Sequence, residues 1–188
     1  MLTLAIQAGG NSSRMGEDKA LKLFHGIPLI QHVFNRISPI ADEVIITTNN
    51  PDAYRFLDVR ITRDLRLGRG ALGGLYTALS AAKHDLVAVV ACDMPFASSQ
   101  VFLSARKLLV TREADAVVPK TQFGYEPLHA LYRRDACIPP IKNALDADKW
   151  KVISWFEQVK ICDLRVEDNE IFWNLNTPED FSKAEKII

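Results

Sequence analysis

The sequence predicts a single three-layer α/β domain over residues 1–188, with a mostly parallel sheet and an antiparallel excursion late in the chain. Three observations carry this. Short runs rich in Val and Ile alternate with longer segments of helical period, the pattern of βαβ units. A chain of 188 residues with 48% hydrophobic content can remove about 70% of its unfolded surface from water in one core. No internal repeat, low-complexity tract or linker divides it.

The first strand is "LTLAIQ", followed by the loop "AGGNSSRMGEDKA". In "PLIQHVFNRISPI", Leu29, Ile30, Val33, Phe34 and Ile37 share one helical face and Pro28 suits a first turn, so this is the first crossover helix. "DEVIITTNN" predicts a buried strand from Val44 to Thr48, and "VRITRD" a shorter one ending at Asp64. Gly68, Gly70, Gly73 and Gly74 predict a flexible loop in "LGRGALGG", feeding the helix "LYTALSAAKH". "DLVAVVACDMPF" is the most hydrophobic strand and belongs at the centre of the sheet. Beyond it, "QVFLSARKLLVT" reads as a helix, and "DAVVPK" and "EPLHALYR" as strands around the turn "TQFGY". "WKVISWFEQV" reads as helical and "VKICDLRV" as extended. The last helix opens at "NTPED", with Thr177 as N-cap, Pro178 at the first position and Asp180 completing a capping box.

Composition narrows the function. The chain balances 23 basic against 23 acidic residues, so no global field favours nucleic acid or an anionic membrane, and any anion specificity is local. Cys92, Cys137 and Cys162 are odd in number and widely spaced, fitting reduced thiols rather than a disulfide framework or a zinc site. With no transmembrane-length apolar run and no signal-like N-terminus, the expectation is a cytoplasmic protein.

The glycine loop between the first strand and helix is the first chemical feature, because such turns bring bare backbone N–H groups up to phosphate. The P-loop pattern fails: Gly10 and Gly16 are six apart, and Lys19 is followed by Ala20 where a magnesium-binding hydroxyl is required. The dinucleotide fingerprint fails as well, since Gly9 and Gly10 are adjacent and Asn11 and Ser12 follow. What remains is a longer loop with backbone donors from Gly9 to Ser13. Arg14 offers a forked phosphate contact and Lys19 a mobile point charge suited to a triphosphate or a leaving pyrophosphate. The second feature is Asp93 in "ACDMPF", at the carboxyl end of the central strand, where open α/β sheets collect ligands. A carboxylate there suits Mg²⁺, which completes its shell with water and phosphate. Asn174 and Asn176 alternate along "FWNLNTPED" and face one side, although the helix start explains that stretch on capping alone. His129, alone on an apolar strand, reads as a structural residue.

These motifs resemble the molybdenum cofactor guanylyltransferase family, the molybdopterin-guanine dinucleotide biosynthesis protein A type, which joins GMP to molybdopterin. "QAGGNSSRMGEDKAL" resembles the family's L-A-G-G-x-S-x-R-M-G-x-D-K-x-L, "GRGALGGLYTAL" its G-P-L-A/G-G-L segment and "ACDMPF" its C-D-M/T-P. "EPLHALYR" and "NLNTPED" match two later signatures, so the likeness runs through nearly the whole chain in order. The resemblance implies a Rossmann-like nucleotidyltransferase fold and transfer of GMP from GTP to molybdopterin with release of pyrophosphate. It implies nucleotide contacts from Gln7, Ala8, Gly9, Gly10, Lys19, Asp64 and Asp93, with Mg²⁺ on Asp93 and catalysis by Arg14, Lys19 and Asp93. Molybdoenzyme maturation proteins are further expected partners; nucleic acid and membrane are not. Gln7 replaces the family's usual leucine and Ala71 its common proline, and Thr47 stands where some relatives have asparagine. A cytidylyltransferase acting on molybdopterin, a sugar-phosphate nucleotidyltransferase and a non-catalytic nucleotide-binding domain are the alternatives.

Overall fold

A computed structural model describes residues 1–9 and 18–187. Its centre is strand β6 (Leu86–Ala91), flanked by β1 (Leu2–Gln7) on one side and β9 (His129–Arg133) on the other. Beyond β1 lie β4 (Glu43–Thr47) and β5 (Arg60–Thr62), all parallel to β6. Beyond β9 lies β7 (Ala116–Thr121), which pairs with β10 (Ile161–Arg165) and the short β8 (Gly124–Tyr125). The pairs β6–β9, β7–β9 and β7–β8 are antiparallel, the late excursion read from the sequence. A small hairpin, β2 (Leu23–Phe24) and β3 (Ile27–Pro28), turns through His25 and Gly26, both at positive φ.

Alternating side chains divide the core in two. Leu2, Leu4 and Ile6 of β1 join Ala88 and Val90 of β6 beneath helices α1 (Leu29–Ile37) and α3 (Ser99–Thr111). On the opposite face Ala5, Val87, Val89, Ala130 and Tyr132 pack under α2 (Gly70–Ala81) and α4 (Arg134–Asp146). This is the predicted three-layer arrangement, since strand residues one apart point to opposite faces. The closing helix α5 (Pro178–Ala184) carries the predicted capping box: Asp180 N–H donates to Thr177 Oγ1 at 3.1 Å, and Thr177 N–H donates back to Asp180 Oδ2 at 2.7 Å.

Two local expectations are corrected. The glycine stretch 68–74 is not a loop throughout, because α2 begins at Gly70 and takes in Gly73 and Gly74. Close packing demands them: a Cβ on Gly73 would lie 2.7 Å from Arg69 Cβ and 2.9 Å from the Arg66 carbonyl oxygen, and one on Gly74 2.9 Å from Gln7 Nε2. The 150–159 stretch is not an α-helix. Ser154, Phe156 and Gln158 N–H groups each donate three residues back, to Lys151, Ile153 and Trp155, so the chain runs in tight turns that sink Trp155 into the core.

His129 is fully buried, stacked on Phe102 at 4.4 Å, and its Nε2 accepts from Ser98 N–H at 3.1 Å. Desolvation pushes its imidazole down to about 4. The unfolded chain takes up a proton below about pH 6.5 while the folded ring refuses it until near pH 4. The contribution is therefore complete above pH 6.5 and lost as pH falls toward 4, by about 2 kcal/mol at pH 5. Urea unfolding of wild type at pH 7.5 and 5 should show this loss in excess of that in His129→Leu; equal losses would remove the assignment.

Candidate active site

The carboxyl ends of β1, β4, β5 and β6 form one edge of the sheet, and the predicted site residues of the described chain gather there. Gln7 ends β1, buried at 6% exposure, and its carbonyl accepts from Cys92 N–H at 3.0 Å, tying β1 to the β6 exit. Ala8 N–H donates to the Thr47 carbonyl at 2.8 Å, so Ala8 and Gly9 leave the sheet between β1 and β4. Gly10 and Arg14 lie outside the described residues.

Lys19 enters from a single 3-10 turn, Lys19–Leu21. Asp18 caps that turn by accepting from Ala20 N–H at 3.2 Å, and its second oxygen accepts from the Tyr54 hydroxyl at 2.6 Å. Tyr54 is fully buried, and burial together with this hydrogen bond holds its phenol above the ordinary value. The backbone before Lys19 is thus anchored to the core, and only the flexible stem remains to aim the ammonium. Lys19 Nζ meets Asp93 Oδ2 and Asn176 Oδ1, each at 2.6 Å. Asp93 is positioned in turn by the β6 exit and by Leu175 N–H, which donates to its carbonyl at 3.0 Å.

Asp64 stands on the far side of β1 from Asp93, just past β5. Asn49 Nδ2 donates to Asp64 Oδ2 at 2.9 Å, and a Cβ on Gly9 would lie 3.4 Å from the same oxygen. Desolvation raises the Asp64 carboxyl above its usual value, against the lowering effect of Asn49. The structure therefore brings Lys19 to Asp93 and Gly9 to Asp64, on opposite flanks of β1.

Three buried atoms at this edge, Gln7 Nε2, Asp64 Oδ1 and Asp93 Oδ1, have no hydrogen-bond partner among the described residues. Buried polar groups are normally satisfied, so an edge with one orphaned donor and two orphaned carboxylate oxygens is built to receive a polar guest. No group of three or more His, Cys, Asp or Glu residues that could hold a metal occurs among the described residues. A cation at Asp93 would thus take most of its shell from water and phosphate, the habit of Mg²⁺ rather than Zn²⁺. Burial meanwhile pushes the neighbouring Cys92 thiol well above its ordinary value, which keeps it inert. Tyr54 and Asn49 belong to no sequence motif, and Asn176 precedes a helix start that capping alone explains; its alternation with Asn174 is the one signal in the sequence.

A family model described as a MobA-like NTP transferase domain matches residues 4–160. A probable molybdenum cofactor guanylyltransferase of Carboxydothermus hydrogenoformans is 35% identical over 195 residues, covering 99% of this chain and 96% of the relative. The molybdenum cofactor guanylyltransferase of Desulfosudis oleivorans is 30% identical, covering 100% of this chain and 96% of the relative. Among solved structures, molybdopterin-guanine dinucleotide biosynthesis protein A from Archaeoglobus fulgidus has a TM-score of 0.83 at 26% identity, covering 98% of this chain and 97% of its own. A 4-diphosphocytidyl-2C-methyl-D-erythritol synthase from Anaerococcus prevotii has a TM-score of 0.73 at 15% identity over 100% and 97% of the two chains, a likeness of fold alone. With the Rossmann-like sheet and the full-length likeness in agreement, the chain belongs to the MobA-like NTP transferase family and is a nucleotidyltransferase.

Proposed function

We propose that this chain, acting as one domain over residues 1–188, transfers GMP from GTP to the terminal phosphate of molybdopterin and releases pyrophosphate. The observation that carries the reading is the cluster of Lys19, Asp93 and Asn176, in which Asp93 Oδ1 is buried and has no partner among the described residues. The full-length relatives named molybdenum cofactor guanylyltransferase support guanylyl transfer to the molybdenum cofactor.

In this reaction an acceptor phosphate oxygen attacks the α-phosphorus in line, the bond to the bridging oxygen of the β-phosphate breaks, and pyrophosphate leaves with the electron pair. Positioning and charge stabilisation suffice, with no covalent enzyme intermediate. Lys19 spends two of its three N–H donors on Asp93 and Asn176, and the third serves a phosphate oxygen. Asp64 Oδ1 accepts from the nucleoside, Gly9 admits it closely for want of a side chain, and the Gln7 carboxamide faces the base. Gly10 and Arg14 complete the phosphate contacts. Asp93 fits Mg²⁺, which when bound neutralises charge on the phosphates.

The test is incubation with molybdopterin, Mg²⁺ and each of the four nucleoside triphosphates, followed by mass analysis. Product is expected from GTP alone, with one pyrophosphate per product. Product from CTP, or turnover only with a sugar 1-phosphate, would overturn the substrate assignment; tight GTP binding without turnover would overturn catalysis.

A further inference from the structure

Asn176 faces two ways. It holds Lys19, and it also lines an open groove of ≈ 550 Å³ running from the catalytic edge along the β9–β7 side of the sheet. One wall is the 169–176 segment, fixed to the catalytic edge where Leu175 N–H meets the Asp93 carbonyl. The other is the β7–β8 turn and the chain leading into β9, fixed by Ala91 N–H donating to the Leu128 carbonyl at 2.9 Å. Aromatic rings border it: Phe123, 81% exposed at the turn, and Trp173, held by stacking on Phe96 at 6.2 Å and 23°. Within it stands Glu126, half-buried, its carboxylate making no hydrogen bond or ion pair among the described residues. Buried Asn169 Oδ1 is likewise without a partner among them.

We infer that Glu126 recognises the pterin ring of the acceptor, pairing its carboxylate with the adjacent N3–H and 2-amino donors of the 2-amino-4-oxopyrimidine, between Phe123 and Trp173. The inference rests on the proposed molybdopterin acceptor. The attacking phosphate makes the acceptor anionic at the end that reaches the catalytic edge, so an unpaired carboxylate further along the groove would repel it unless it faced donors. A pterin supplies two donors side by side, the spacing a carboxylate accepts bidentately, on a flat ring that stacks on aromatic faces. Guanine carries the same donor edge, but Gln7, Gly9 and Asp64 lie on the opposite side of β6, across β1, β4 and β5. The nucleotide and the acceptor thus approach Asp93 from opposite flanks. Burial raises the Glu126 carboxyl above its usual value, and a pair of donors restores the ionised form.

The test titrates wild type, Glu126→Gln and Glu126→Asp with free pterin and with pteridin-4-one, which lacks the 2-amino group, by calorimetry. KM for molybdopterin and for GTP is then measured separately. Wild type is expected to bind pterin at least ~10-fold tighter than pteridin-4-one, as losing a charge-assisted hydrogen bond implies. Glu126→Gln should erase that preference and raise KM for molybdopterin ~10–100-fold with KM for GTP unchanged; Glu126→Asp should retain part of the preference. Equal binding of the two ligands by wild type, or a Glu126→Gln effect on GTP rather than on the acceptor, overturns the inference. Wild type that prefers pterin yet transfers no GMP overturns the reaction and leaves the pterin site standing.

Discussion

Replacing Asp93 with alanine is expected to slow pyrophosphate release about 10²–10³-fold, a loss of ~3–4 kcal/mol of transition-state stabilisation. Asp93 accepts from Lys19 with one oxygen and keeps the other buried at the edge where the phosphates would lie. Under the proposed reaction its removal takes away the carboxylate that would hold the cation, and it releases Lys19 from one of its two anchors. Lys19→Ala should cost about 10²-fold on its own, since it removes one preorganised donor from the developing charge on the leaving group. The two losses should not add: the side chains meet at 2.6 Å, and the double variant should lie close to Asp93→Ala alone. Asp93→Asn separates the roles, because the amide keeps the shape and an oxygen for Lys19 but lacks the charge that holds a cation; it should lose nearly as much rate as alanine. Circular dichroism and a urea midpoint near wild type would show that these are losses of chemistry. Folded variants that kept the full rate would reduce the pair to a surface ion pair, worth about 0–1 kcal/mol at such sites.

The sheet was legible because its strands are written as β-branched apolar runs ending in polar residues. "LTLAIQ", "EVIIT" and "LVAVVA" lie side by side where an α/β pattern places them, with the most hydrophobic run at the centre. Of the candidate site, the position of Asp93 was legible, because the sequence puts it just past the end of the most hydrophobic strand. It was illegible where a residue acts through tertiary contact: Tyr54 anchors Asp18 from 36 residues away, and Asn176 reaches Lys19 from 157. Helix α4 hid behind Pro139 and Pro140, which remove two backbone donors from its interior. Cys137, Pro140, Ile141, Ala144 and Leu145 bury one face of α4 against the α2 side of the sheet, and that packing outweighs the lost bonds. The glycines of α2 misled in the other direction. Glycine commonly marks a loop, but here two of them let a helix approach Gln7 and the Arg66 backbone closely.

Trp155→Ala is expected to cost about 3–5 kcal/mol of folding stability, a large share of the ~5–15 kcal/mol that holds such a domain together. Trp155 is fully buried in a segment without α-helix, so little local structure compensates for its loss. Its ring packs on Tyr132 at 6.0 Å and edge-on to Phe156 at 5.1 Å. Its Nε1 is buried with no partner among the described residues, an unsatisfied donor that itself costs about 1–3 kcal/mol. Trp155→Phe should therefore lose much less than alanine, about 1–2 kcal/mol, because it keeps most of the apolar volume and discards that donor. The contact also reaches the groove proposed for the acceptor. The Tyr132 hydroxyl donates to the Pro127 carbonyl at 2.7 Å, next to Glu126, so loosening Tyr132 frees the groove wall opposite Trp173. At a temperature where Trp155→Ala remains folded, KM for the acceptor should rise while KM for GTP holds, because the β1–β4–β5 flank does not include Trp155. A loss below ~1 kcal/mol in urea unfolding would mean the cavity closes by local collapse, and Trp155 would not be the anchor of this segment.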